Sequence, residues 1–514
     1  MGGLAVGKVW LVGAGPGDPG LITWRGVRIL QSAEVVLHDA LSHPALLELC
    51  PQAEIVDVGK RFGQPSAAQP AITSRLIELA RAGKRVVRLK GGDPLLFARG
   101  AEEALALAEA HVPFEIVPGI PSPMAASAYA GISLTHRDLS SSVTLITGSD
   151  REGREWSPEA WRKLATATGT ICVLMGMRRI EAITQAIIDG GRSPSTPAAV
   201  VQWAARPQQR VVEGTLSDIA QLVRAAEVTN PAIIIVGDVV DLRESMAWFD
   251  RRPLFGKRIL VPRAAAQARE TAWAIRERSA EPVLSPAIAI HPAPDVERLR
   301  RAAREVGSYD WVLFTSSNGV ERFFDVLDEL ELDGRALSAA RIAVIGPKTA
   351  AALRARGLRA DVMAPEYVAE SLVETLLDTR AERPLGRVLL ARARVARDVL
   401  PERLRAAGAE VDVVAAYETH PVTGPEAARL AELARDAVDV VLLTSSSMVS
   451  SLVAALGAEA ARLPERVTVA CIGPVTAQTA RDLGLRVDVT AERYTVDGAL
   501  DALEVWLSRD VRSA

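Results

Sequence analysis

The sequence predicts an α/β protein of two successive halves, the second of them internally duplicated. Three observations predict it. Short apolar runs ending in glycine turns alternate with helical patterns through the first 250 residues, the remainder repeats itself, and 514 residues exceed what one hydrophobic core serves. The 49% hydrophobic content is ample for such cores, and the net charge of −3 with mixed signs argues against nucleic acid as the main partner. No basic cluster or zinc-finger spacing appears. Cys50, Cys172 and Cys471 lie too far apart for a C-x-x-C pair and are too few for a disulfide framework, so buried thiols and no metal site are expected. The chain runs straight from its start into a strand without a cleavable apolar core, and no apolar run reaches membrane-spanning length. A cytoplasmic location is expected.

In chain order, a strand at 9–12 ends at Gly13-Ala14-Gly15-Pro16-Gly17-Asp18 and is followed by a helical pattern at 21–32. Asp39, at the end of the next strand (34–38), stands where a ribose-binding acid of a nicotinamide enzyme would stand. Against that reading, Asp18 replaces the third glycine, and Pro16 removes an N–H from the turn meant to cradle a pyrophosphate. Helical patterns at 44–49 and 69–82 flank a strand that ends before Gly59-Lys60-Arg61. The run Val86, Val87, Leu89 then breaks at Gly91-Gly92-Asp93-Pro94, which is either a plain turn or a loop whose bare backbone meets a ligand. A helix at 100–110, a strand at 114–117 and the turn Pro118-Gly119-Ile120-Pro121-Ser122-Pro123 follow. Gly15 to Asp18, Asp39, Lys60 and Gly91 to Asp93 all fall at strand ends, where α/β sheets bind ligands.

The stretches GAGPGDPGLIT, VVLHDAL, VGKR, VVRLKGGDP, VPGI, SAYAGISLTHRD, VLMGM, RPQQRVVEGTL and NPAIIIVGDVV occur in that order over residues 8 to about 248. In these motifs the half closely resembles uroporphyrinogen-III C-methyltransferase. The resemblance implies a two-lobed tetrapyrrole-methylase fold, a homodimer, and S-adenosyl-L-methionine held between the lobes. It further implies two methyl transfers to uroporphyrinogen III, giving precorrin-2 and S-adenosyl-L-homocysteine, on the branch to sirohaem or cobalamin. Carried over, the proposed base is Asp39 and the proton donor Lys60; on residue type alone they read equally as a helix-capping acid and a solvated lysine. Cofactor contacts fall on Pro16, Gly91, Gly92, Asp93, Leu96, Pro121, Ser122, Met175, Ala204 and Ala232. Arg99, His136 and Arg137 are candidates for substrate carboxylates, or for a surface salt-bridge network. The chain departs from the family pattern at Pro121, where Thr is common, at Ala204, where Gly is usual, and at Ser149, where His is frequent.

Arg251-Arg252-Pro253 reads as a short, polar, proline-marked linker, placing the domains at 1–250 and 256–514 and predicting halves that fold and act separately. Beyond it, DWVLFTSSNGVERFF and DVVLLTSSSMVSSLV lie 129 residues apart, as do RILVPRA and RVLLARA, while AVIGPKTA and ACIGPVTA lie 127 apart. So long a period means duplicated α/β lobes. Thr/Ser turns precede helix starts in both copies, a geometry shared by helix capping and anion binding. With TSSNGV, AVIGPKTA, AYETH and ACIGPVTA, the repeat resembles uroporphyrinogen-III synthase. This implies cofactor-free closure of hydroxymethylbilane between two flavodoxin-like lobes, here about 257–287 plus 421–510 and an inserted 288–420. Tyr417 matches a tyrosine discussed as assisting hydroxyl loss. Arg263, Ser316, Ser317, Asn318, Lys348, Ser445, Ser446 and Thr476 are the carboxylate-binding candidates. A non-catalytic two-lobed sensor is the competing class for this half, and a nicotinamide-dependent dehydrogenase for the whole chain.

Overall fold

Strands buried on both faces need continuous apolar runs, and the first half supplies them at regular intervals. In the computed structural model, which describes residues 6–59, 69–148, 156–263, 265–366, 369–379, 385–457 and 463–510, these runs become β1 (Lys8–Gly13), β2 (Val35–His38), β3 (Glu54–Asp57), β4 (Arg85–Lys90) and β5 (Phe114–Val117). They pair in the order β3-β2-β4-β1-β5, all parallel. Val9, Leu11, Val35, Leu37 and Val86 pack on one face, and Val12, Val36, Val87 and Leu89 on the other. The expected helices at 44–49 and 69–82 appear as a 3-10 helix at Pro44–Leu49 and an α-helix at Gln69–Arg81.

A second sheet follows, built of β6 (Val143–Thr147), β7 (Thr170–Leu174), β8 (Pro197–Gln202), β9 (Arg210–Thr215) and β10 (Ala232–Val236) in the order β6-β7-β10-β8-β9. Only β6 and β7 run parallel.

The repeat becomes two more sheets from β11 (Arg258–Val261), β12 (Glu281–Leu284), β13 (Ile288–Pro292), β14 (Trp311–Phe314), β15 (Arg341–Val344), β16 (Val362–Met363), β17 (Arg387–Ala393), β18 (Glu410–Pro421), β19 (Val440–Leu443), β20 (Thr468–Cys471) and β21 (Val489–Thr490). One has the order β12-β11-β19-β20-β21, the other β13-β18-β17-β14-β15-β16. Matching the repeated motifs, β11 answers β17, β19 answers β14 and β20 answers β15, so the two sheets align strand for strand; the first has the flavodoxin-like order 2-1-3-4-5, and β18-β17-β14-β15-β16 is a circular permutation of it. In chain order the first sheet is interrupted after its second strand by all of the other. The strand β13 adds an antiparallel edge, Ile288 opposite Pro421 through Pro292 opposite Tyr417.

By packing, the chain divides into two compact units, Met1–Ile259 with Glu270–Pro282 and Leu500–Ala514, and Leu260–Arg269 with Val283–Ala499. Within the first, the Arg-Arg-Pro junction is not the polar tether expected. Phe249 and Leu254 are buried, Phe249 stacks edge-on against Tyr129 and Phe255, and the Asp250 carboxylate pairs with Arg243 at 2.5 Å. The charged letters mark the surface of the segment and its apolar residues anchor it, so cleavage between Asp250 and Gly256 is expected to destabilise this unit and lower its melting temperature by several degrees, read by calorimetry on the nicked chain.

All three cysteines are buried and free, as expected. Among the described residues no helix is long and apolar enough to cross a membrane, and no cluster of His, Cys, Asp and Glu has metal-site spacing.

One half-buried histidine makes stability depend on pH. The His43 Nδ1 accepts the Ala45 N–H at 3.1 Å at the start of the 3-10 helix, which requires an unprotonated nitrogen. Burial first, then the charges of Arg276 and Arg206, lower its pKa from 6.5 to about 4. Below about pH 6.5 the unfolded chain takes up a proton that the folded chain refuses, so stability falls as pH drops from about 6.5 to about 4, by about 3 kcal/mol in all. His43→Asn keeps a capping acceptor and is expected to flatten this dependence in thermal unfolding followed between pH 7 and 4.5.

Candidate active site

The loops after β1, β4 and β5 meet because glycines let their backbones touch. Gly15 and Gly92 exchange N–H···O bonds of 3.2 and 3.1 Å, both with left-handed φ of +71°. A Cβ on Gly119 would lie 2.2 Å from the Gly92 carbonyl oxygen, so only glycine permits this approach. The Asp93 carboxylate staples the loops: Oδ1 accepts the N–H groups of Leu95 and Leu96, and Oδ2 that of Gly119 at 3.1 Å. Asp18, the residue that breaks the dinucleotide motif, accepts the Gly20 N–H at 2.7 Å and the Tyr129 hydroxyl at 2.6 Å, capping the turn that follows.

These loops open on a cavity of about 520 Å³, within the small-ligand range. Pro16, Gly91, Gly92, Asp93, Leu96, Pro121, Ser122, Met175, Ala204 and Ala232 all line it, although they come from separate segments of both sheets. Leu41, Phe97, Arg178, Trp203, Arg206 and Asn230 line it too and were not anticipated. Phe97, Met175 and Trp203 hold positive φ of 55°, 55° and 49°, a strained backbone for side-chain-bearing residues that clusters at ligand sites and that no non-glycine letter advertises. The Arg206 guanidinium lies 4.9 Å from the Trp203 ring and donates to the Leu41 carbonyl at 2.8 Å.

Asp39 sits just after β2, its side chain 30% exposed. Its Oδ1 accepts from Arg88 Nη2 at 2.5 Å, and its Oδ2 from the Gly91 N–H at 3.3 Å. The carboxylate is therefore held against the glycine loop. Lys60 and Ser149 lie outside the described residues. Arg99 is half-exposed and pairs with Glu102, while the His136 Nδ1 accepts the Asp138 N–H beside its bridge to Ser140; none of Arg99, His136 and Arg137 lines the cavity.

In the duplicated half, Ser316 and Ser445 cap the helices Ser317–Glu329 and Ser446–Leu456 through the N–H groups of Gly319 and Met448. The strand pair β17 and β18 slips by one residue at Ala416, which re-aims Tyr417, and its hydroxyl meets the Ser316 hydroxyl at 3.0 Å. Ser446 takes a hydrogen bond from the Thr479 hydroxyl at 2.9 Å. Ser317, Asn318 and Lys348 stand in or beside the helix starts after β14 and β15, and Arg263 is half-buried just after β11. Thr476 is 5% exposed, packed into the inner face of the helix Pro474–Asp482.

The tetrapyrrole (corrin/porphyrin) methylase family matches residues 8–220, and the uroporphyrinogen-III synthase HemD family residues 269–501. A porphyrin biosynthesis protein HemD of Ruminiclostridium josui is 37% identical over 97% of this chain and 97% of its own length. The chain belongs to this family of fused methylase–synthase proteins. The uroporphyrinogen-III C-methyltransferase of Bacillus subtilis (strain 168) is 38% identical over 70% of this chain and 74% of the relative's own length. Among solved structures, a uroporphyrin-III C-methyl transferase from Thermus thermophilus complexed with S-adenyl homocysteine is 40% identical, covering 46% of this chain and all of its own at a TM-score of 0.41. A uroporphyrinogen III synthase from the same organism is 22% identical, covering 49% of this chain and 99% of its own at a TM-score of 0.37.

The methylase cavity fits the S-adenosylmethionine that this family implies. Open space lies over Gly92, where an added Cβ would meet nothing nearer than 3.8 Å, and the one carboxylate in the lining, Asp93, is already engaged by backbone. The departures at Pro121 and Ala204 cost no backbone strain: Pro121 precedes the helix Ser122–Ala130 at φ −72°, and Ala204 is not among the residues with positive φ.

Proposed function

We propose that this chain closes hydroxymethylbilane to uroporphyrinogen III in its second half and methylates that product twice in its first, giving precorrin-2. The observation that carries the reading is the convergence of ten residues from distant segments on one cavity, beside a carboxylate held at its rim. S-adenosyl-L-methionine supplies an electrophilic methyl group to an electron-rich pyrrole carbon. The protein's share is positioning and proton management. Gly91 and Gly92 admit the ligand, Ser122, Met175, Ala204 and Ala232 surround it, and Asp39 accepts the proton that leaves after transfer, with Lys60 as the donor.

In the second half the task is to hold a flexible polycarboxylate in the conformation that inverts one ring on closure. Tyr417, with its hydroxyl against Ser316 at a helix start, assists departure of the substrate hydroxyl. Arg263, Ser317, Asn318, Lys348, Ser445 and Ser446 are proposed to meet its carboxylates. The domains are taken as 1–250 and 256–514, the latter with lobes at about 257–287 plus 421–510 and at 288–420. A homodimer formed through the methyltransferase half, a cytoplasmic location and no nucleic-acid partner complete the reading.

The test supplies hydroxymethylbilane with and without S-adenosylmethionine. Uroporphyrinogen III as the dominant isomer without the methyl donor, and precorrin-2 with it, is the expected outcome. Isomer I alone would reduce the second half to a sensor, and titratable NAD binding in place of S-adenosylmethionine would restore the dehydrogenase reading.

A further inference from the structure

Next in the chain to the lining residue Gly91 of the methylase cavity lies a group of buried charges that the proposed chemistry does not use. Glu103, from the helix Gly100–Glu109, is fully buried, and Arg88 and Lys90 of β4 are 3% and 2% exposed. Glu103 faces the Arg88 Nε at 3.2 Å and the Lys90 Nζ at 3.1 Å, and accepts from Gln69 Nε2 of the helix Gln69–Arg81 at 2.8 Å. Arg88 directs its other donors to the carbonyls of Leu37 and Leu89 and to Asp39, while the His38 ring lies 3.2 Å from the Asp39 carbonyl. One guanidinium thus joins a sealed carboxylate to the carboxylate at the cavity rim. Two buried cations and two carboxylates balance, an arrangement that removing either Glu103 or Lys90 would upset.

We propose that Glu103, held by Lys90, and Lys90 itself are positioning residues for methyl transfer, Glu103 acting through the shared Arg88 guanidinium to orient the Asp39 carboxylate toward the proton it takes. This rests on the reading of Asp39 as proton acceptor. Glu103 shares the guanidinium and so weakens its hold on Asp39, while Lys90, paired with Glu103 at 3.1 Å, adds positive charge to the same group. The two residues should therefore push the pH dependence of methylation in opposite directions, which a purely structural role does not do.

The experiment follows methylation of uroporphyrinogen III against pH in the full chain, with S-adenosylmethionine affinity and thermal unfolding measured on the same samples. Glu103→Gln is expected to move the acid limb of the rate profile to lower pH and to cut the plateau rate about tenfold, with cofactor affinity within about twofold of the parent. Lys90→Met is expected to move the limb to higher pH. The double variant Lys90→Met/Glu103→Gln, which removes one charge of each sign, should fold where a single variant does not and should return the limb toward its parent position. Asp39→Asn is run alongside. If it abolishes methylation while the Lys90 and Glu103 variants keep the parent limb, or shift it the same way, the positioning inference is overturned; if Asp39→Asn methylates normally, the base assignment itself has failed.

Discussion

Asp39→Asn is expected to slow methyl transfer by at least about 10²-fold while leaving S-adenosylmethionine affinity within about twofold. The residue does not line the cavity; it stands at the rim, one oxygen on Arg88 and the other on the Gly91 N–H. An asparagine is nearly isosteric, but it accepts no proton, and its one acceptor oxygen can serve either the Arg88 guanidinium or the Gly91 N–H and not both. Single-turnover methylation and calorimetric titration on one preparation separate the two effects. Parallel loss of rate and affinity would make Asp39 a cofactor contact.

Gly92→Leu is expected to abolish methylation and leave hydroxymethylbilane closure unchanged. At φ +71° a leucine costs about 1–2 kcal/mol in backbone strain, and the exchange of hydrogen bonds with Gly15 depends on that conformation. The larger effect is steric, since the side chain would grow from a position next to Pro121 and Ser122 in the cavity lining. Both activities are measured on the same sample. Retained methylation would take the glycine turn out of the site, and loss of both activities would point to a folding defect instead.

The contrast between the ten anticipated cavity residues and those that were missed has a physical cause. Gly91, Gly92 and Pro121 carry their conformational roles in their letters, and their motifs lie at strand ends in register. Trp203 and Phe97 are ordinary apolar letters whose left-handed backbone is imposed by what surrounds them. Arg206 reaches the Leu41 carbonyl from 165 residues away, a pairing for which a sequence holds no signal. The junction near residue 253 misleads in the opposite sense, because Arg-Arg-Pro is conspicuous and the buried Phe249 and Leu254 beside it are not.

By itself the sequence determined the α/β class, the order of strands and glycine turns in the first half, the duplication in the second, and the resemblance that points to both activities. These are properties of short windows and of repeated windows: apolar runs, glycines where φ must be positive, and spacings that survive as letters. The interrupted sheet was implied by the resemblance, but tertiary structure alone decided that a slipped residue at Ala416 brings the Tyr417 hydroxyl to Ser316, and that a fully buried Glu103 is joined to Asp39 by one guanidinium, that of Arg88. Each depends on which distant segments share a sheet or a core. That choice is made by the burial energy of the whole chain, and no local window contains it.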